Sequence, residues 1–167
     1  MKNVSNIIRN RTISTVLALW ALVACDVLLA DDKHIDVTVS GNKLIFLNSE
    51  CPERPGELGC VMAEYGNSPM ISWELTGMGS EQWQFSGLSF NPTPLQDCTV
   101  EDFGLSEADR QSGTASTAQI VANGKRLQIR DHNRNQCITQ YTLSAVSSEG
   151  TYIDSDPVVD NRGGGRH

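Results

Sequence analysis

Three absences narrow what this chain can do. It contains no G-x-S-x-G elbow, no H-E-x-x-H helix motif and no C-x-x-C pair, and it has only 3 histidines, His34, His132 and His167. Nucleophilic hydrolysis needs a Ser or Cys with a base and an orienting group in hydrogen-bond reach. Only Asp131-His132 sets a carboxylate beside an imidazole, and adjacent residues at a strand end point apart. Catalysis is therefore not expected. Zinc is not expected either, because Cys51 and Cys60 have no second ligand pair at metal spacing.

Positive charge is also scarce. The chain carries 13 Lys and Arg against 20 Asp and Glu. Three of those basic residues, Lys2, Arg9 and Arg11, precede an uncharged run over residues 12–24. A basic region followed by an apolar one is an export signal and stands outside any fold argument. Asp26 stops the run short of the roughly 20 apolar residues that a permanent span wants. Without residues 1–24 the balance is 10 basic to 20 acidic residues, a net charge of −10. Such a chain is repelled by phosphate backbones and by anionic lipid, so no nucleic-acid partner is expected. Any attachment to a membrane should come through lipid.

Leu22-Val23-Ala24-Cys25, at the end of the apolar run, resembles the bacterial lipoprotein signal. The resemblance implies cleavage before Cys25, a diacylglycerol on its sulfur, and a tether over residues 25–33. It also implies a place in the bacterial cell envelope, facing the periplasm. By similarity to enterobacterial lipoproteins, Asp26 implies retention in the inner membrane. The alternative is cleavage after Ala30, which releases a periplasmic or secreted protein.

Beyond the leader there are four cysteines, Cys51, Cys60, Cys98 and Cys137. An even number in an exported chain reads as two disulfides with three possible connectivities. The preferred pairing is Cys51–Cys60, closing a Pro/Gly-rich loop, with Cys98–Cys137 pinning an irregular stretch to a sheet.

Residues 34–160 read as one β domain. "HIDVTVS" alternates Ile35, Val37 and Val39 with polar neighbours, and Gly41-Asn42 turns the chain into "KLIFLN". "MISWELT" puts Ile71, Trp73 and Leu75 on one face; "QWQFSGLSF" does so with Trp83 and Phe85 before a bend at Gly87. Pro92 and Pro94 argue against a long strand over residues 91–115, where "LSEADRQ" offers one or two helical turns capped by Ser106. Asn123-Gly124 between two strand-like runs predicts a two-residue hairpin turn, because both positions need positive φ. "CITQYTLSAV" alternates from Cys137 to Ala145, and "GTYIDSDPVV" adds a last strand broken by Pro157. No repeat of fixed period occurs. Seven or eight short strands and at most one short helical turn predict an all-β chain, an antiparallel β-sandwich. The tail over residues 161–167 has nothing apolar to bury and is expected to be mobile.

Cys60, Trp73 and Cys137 have roughly the spacing of the B-strand cysteine, C-strand tryptophan and F-strand cysteine of immunoglobulin domains, which the chain resembles in this respect. The family's tyrosine two residues before the second cysteine is Asn135 here. The last third also resembles the end of certain small bacterial proteins without an assigned activity. Its Asp131-x-Asn133 turn and its box Asp156-Pro157-Val158-Val159-Asp160-Asn161 carry that similarity. It implies a β-sandwich and brings no activity.

Two binding chemistries remain. Asp131, Asn133, Asp154, Asp156, Asp160 and Asn161 offer the oxygens that a hard cation wants, so calcium is the one candidate metal. An EF-hand is excluded by Pro157 and by the missing glycine and terminal glutamate. The competing role of these residues is local backbone bonding in turns. A carbohydrate platform would need exposed aromatics, and Trp73 and Trp83 are expected in the core. The chain thus reads as an exported bacterial envelope protein, a lipoprotein with a non-catalytic binding or structural role and an envelope protein as partner. The alternative is a secreted module binding carbohydrate or calcium.

Overall fold

The computed structural model describes residues 32–48, 51, 56, 58–64, 66–90 and 100–163. The leader, Cys25, most of the expected tether, and Cys98 lie outside the described residues. Among the described residues no helix is long and apolar enough to cross a membrane.

Period-two alternation lays down most of the strands. β1 (Lys33–Ser40) and β2 (Lys43–Phe46) form the expected hairpin and bury Ile35, Val37, Leu44 and Phe46. β4 (Met70–Leu75) buries Ile71, Trp73 and Leu75; β5 (Trp83–Phe90) buries Trp83 and Phe85 and shifts register before Gly87, where the bend was expected. Between the β1–β2 hairpin and β4 stands β3 (Val61–Glu64). A 3₁₀ turn (Val100–Phe103) and one short helix, α1 (Glu107–Ser112), follow. Ser106 caps α1 in a reciprocal box with Asp109, its Oγ accepting from the Asp109 amide at 3.2 Å. Those bonds from Ser106, with one from the Ser116 hydroxyl, hold the Asp109 carboxyl below its ordinary range. β6 (Gln119–Val121), β7 (Arg126–Arg130), β8 (Ile138–Ser147), β9 (Tyr152–Ser155) and β10 (Val158–Gly163) complete the chain.

The strands form two sheets, ordered β2-β1-β4-β7-β6 and β3-β10-β8-β5. β9 and β10 follow each other along one edge of β8, against Leu143–Val146 and Ile138–Gln140. Pairing is antiparallel except for β1–β4 and β3–β10, which are parallel. Among the described residues, the expectation of seven or eight antiparallel strands is thus corrected to ten strands in two mixed sheets. The count rises because Pro157 splits the last strand and because the short β3 pairs with a strand far along the chain.

Both sheets feed one apolar cluster, with Trp73, Leu127 and Ile129 from the first and Phe85, Tyr141 and Leu143 from the second. Trp73 Nε1 donates to Tyr141 Oη at 2.9 Å, and that hydroxyl donates to the Gly59 carbonyl at 2.7 Å. This chain of bonds ties β4, β8 and the loop before β3. Burial holds the Tyr141 phenol neutral, its pKa raised above the ordinary value. A smaller cluster of Cys51, Cys60, Ile138 and Val158 packs against Met62.

Two further expectations are revised. The β6–β7 turn has four residues between the strands, not two, with positive φ at Ala122 (52°), Asn123 (56°) and Gly124 (81°). The tail does not begin at residue 161: β10 runs on to Gly163, and Asn161 is fully buried. A polar side chain, not an apolar one, anchors that segment.

Candidate functional site

The described polar residues that are fully buried gather where β7 ends and β10 passes. Asp131 follows β7 directly, its amide donating to the Pro69 carbonyl at 3.0 Å. Asp131 Oδ1 accepts from the Asn133 amide at 2.8 Å, the two-residue turn that aspartate favours. The same oxygen accepts from Asn161 Nδ2 at 3.3 Å. Asn133 has φ of 43°, a left-handed conformation that asparagine tolerates better than most residues. Its Nδ2 donates to the Glu64 carbonyl at the end of β3, and its own carbonyl accepts from Gly66 at 3.3 Å. The Asn161 amide donates to the Cys137 carbonyl at 2.8 Å. β7, β3, β10 and the segment before β8 therefore meet at three side chains.

Asp102, in the 3₁₀ turn, secures the loop between Asp131 and β8. Its carboxylate accepts from the amides of Arg134 at 2.6 Å and Asn135 at 3.1 Å, and from Asn135 Nδ2 at 3.0 Å. Burial pushes the Asp131 carboxyl up to about 7; the Asn133 amide bond opposes that, the nearby Asp102 charge adds to it, and the Asn161 bond opposes it.

Three oxygens in this cluster, Asp131 Oδ2, Asn133 Oδ1 and Asn161 Oδ1, are buried with no hydrogen-bond partner in the structure. The orientation of both carboxamides is fixed by their nitrogens. Turning Asn133 or Asn161 over would put an oxygen against the Glu64 carbonyl or against Asp131 Oδ1, acceptor on acceptor.

The residues expected to share a cation divide. Asp131, Asn133 and Asn161 come together. Asp160 is buried one residue from Asn161, and alternation puts it on the Val158 face of β10. Asp154 stands opposite Ser144 near the far end of β8, whereas Asp160 stands opposite Ile138. Asp156 is exposed and accepts from the Thr142 hydroxyl. The six-membered set is therefore not one site. Among the described residues no three His, Cys, Asp or Glu side chains group to hold a metal.

Cys51 and Cys60 are disulfide-bonded with Cα atoms 5.6 Å apart, the pairing preferred from sequence. Cys60 is thus not joined to Cys137, and the bridge characteristic of immunoglobulin domains is not formed. Cys137 is itself disulfide-bonded, and its expected partner Cys98 is outside the described residues.

One juxtaposition was invisible in the linear sequence. Parallel pairing of β1 with β4 sets His34 opposite Ser72, with His34 Nδ1 3.2 Å from Ser72 Oγ and Nε2 3.4 Å from Asp36 Oδ1. Residues 38 apart in the chain give no spacing signal for such a contact. The group lies on an exposed sheet face beside the Glu74–Arg126 ion pair at 2.6 Å, where backbone donors are spent in the strand ladder. Trp73 and Trp83 are both buried, as expected, and among the described residues Tyr152 is the exposed aromatic.

No family model and no curated protein matches this chain. Among solved structures it is similar to the bradyzoite-specific antigen BSR4 of Toxoplasma gondii, at 11% identity and a TM-score of 0.35, over 75% of this chain and 50% of that one. The chain thus spans about half the length of that protein, and a likeness of this size carries no argument.

Proposed function

We propose that this is an exported bacterial envelope protein, lipid-anchored through Cys25 toward the periplasm, with a non-catalytic binding or structural role. In this reading the two sheets are the layers of a β-sandwich, and the partner is another envelope protein. The observation that carries it is the buried Cys51–Cys60 disulfide, since such bonds persist in oxidising compartments and are rare in the cytosol. The basic and apolar leader with its Leu-Val-Ala-Cys ending supports the same destination. Burial of Trp73 and Trp83 weighs against the carbohydrate-binding alternative, and a non-catalytic role draws support from the setting of His34, exposed beside a half-buried Ser72.

The test is the intact mass of the protein recovered from the envelope of a producing bacterium. A diacylated or triacylated N-terminal Cys25 is the expected result. An N-terminus at Asp31 replaces the lipoprotein by a soluble exported protein. Recovery from cytoplasm with Met1 in place and thiols reduced overturns export altogether.

A further inference from the structure

We propose that Asp131, Asn133 and Asn161 are the protein's ligands to a buried hard cation, calcium by the chemistry of the donors. Three side-chain oxygens are fully buried with their hydrogen-bonding capacity unused, and each such acceptor carries the desolvation penalty of an unpaired polar group. The three residues are neighbours in one bonded cluster: Asp131 Oδ1 accepts from the Asn133 backbone amide and from the Asn161 side chain, and the Asn133 side chain is held by the Glu64 carbonyl.

Neither a proton alone nor a water alone meets the count. A proton on Asp131 Oδ2 makes one donor and serves one of the two carboxamide oxygens, leaving the other unmet. A single water has two hydrogens for three acceptors and leaves the carboxylate charge uncompensated. A cation meets all three oxygens at once and supplies the missing charge.

The donor set then selects the ion. One carboxylate and two carboxamide carbonyls are hard oxygens, which calcium takes in flexible arrays of six to eight with backbone carbonyls and waters completing the shell. Magnesium demands a near-ideal octahedron and is reluctant to shed its own waters, so it suits a buried, preformed set poorly. The set contains no thiolate or imidazole of the kind zinc prefers. The site belongs to β7, β3 and β10 and stands apart from the exposed Asp154 and Asp156.

Calcium alone is the probe. The purified, oxidised protein is dialysed against chelator at pH 8 and melted with and without CaCl2 at 2 mM. A ligand held only by the folded state raises the midpoint, and a shift of at least about 3 °C is expected, with a much smaller one for MgCl2. Asp131→Asn keeps the shape and removes the charge; its calcium shift should vanish while it still melts cooperatively. Asp156→Asn should keep the full shift. Equilibrium dialysis should find one calcium bound per chain, a readout that survives even if Asp131→Asn fails to fold. Binding of less than a tenth of a calcium per chain at 5 mM overturns the site, as does a shift undiminished in Asp131→Asn.

Discussion

Asp131 is held where a carboxylate is costly, and its protonation is therefore a stability variable. The folded chain keeps the proton up to about pH 7, while an unfolded chain releases it near the ordinary value of 3.8. Below both values the two states are equally protonated and the group contributes nothing to the balance. As pH rises between them, only the unfolded state gains by ionising, so the folded state loses stability; above about 7 the loss is complete and constant. Raising the carboxyl from 3.8 to about 7 corresponds to about 4 kcal/mol. In chelator, urea unfolding at pH 4.5, 6 and 7.5 should show stability falling across this window. Asp131→Asn, which cannot ionise but still offers an oxygen to Asn133 and Asn161, should flatten that slope and be the more stable protein at pH 7.5. A slope retained in the variant would place the titration elsewhere.

Among the elements, the β6–β7 hairpin shows how much local chemistry specifies and where it stops. Asn123-Gly124 announces a turn, and positive φ at both positions is found. Loop length is set by tertiary contacts instead. The Gly124 carbonyl accepts from Phe85 at 2.8 Å, and the Lys125 carbonyl accepts from Leu75 at 2.8 Å. Lys125 Nζ donates to the carbonyls of Ser80 and Glu81, both at 2.7 Å. The turn thus reaches from its own sheet to β5 in the other. A Cβ on Gly124 would stand 2.7 Å from Gln84 Cβ, at a φ of 81° that disfavours any side chain. Gly124→Ala should therefore cost about 2–3 kcal/mol by thermal or urea unfolding, the backbone and overpacking penalties combined. A cost below about 0.5 kcal/mol would mean that the turn relaxes away from β5. The same division runs through the whole fold. Strands with clean alternation, such as those carrying Ile71-Trp73-Leu75 and Tyr141-Leu143-Ala145, were legible because one buried face dictates them. β3 was not: it has four residues, includes the weak strand former Ala63, and is stabilised by parallel pairing with β10 nearly a hundred residues on. The buried cluster was half legible. Asp131 and Asn133 stand in a recognisable turn, whereas Asp102 joins them only through the fold, from a Val-Glu-Asp-Phe stretch without any motif.

At the scale of the molecule, the loop from β2 to β3 carries the chain from the edge of one sheet to the edge of the other. Gly59 in that loop lies against the Phe46 ring, where a Cβ would approach to 2.7 Å, and its carbonyl receives the Tyr141 hydroxyl. Cys51 and Cys60, with Val158 and Ile138, then cover part of the second sheet. Closing a loop whose ends are nine residues apart removes unfolded-state entropy worth about 2.5–3 kcal/mol. The Cys51→Ala/Cys60→Ala double variant should lose that amount, seen as a midpoint about 10 °C lower, for a domain of this size. The direction of a second effect separates entropy from packing. If the bridge acts chiefly by restricting the unfolded chain and the loop is closed in the transition state, most of the loss should appear as slower folding, with the unfolding rate little changed. If instead the loop detaches, Phe46 and Tyr141 lose their cover, and quenching of the buried Trp73 by added acrylamide should rise in the native state. The Trp73–Tyr141–Gly59 bonds hold the loop from inside, independently of the sulfurs, so the native state of the double variant should keep Trp73 shielded.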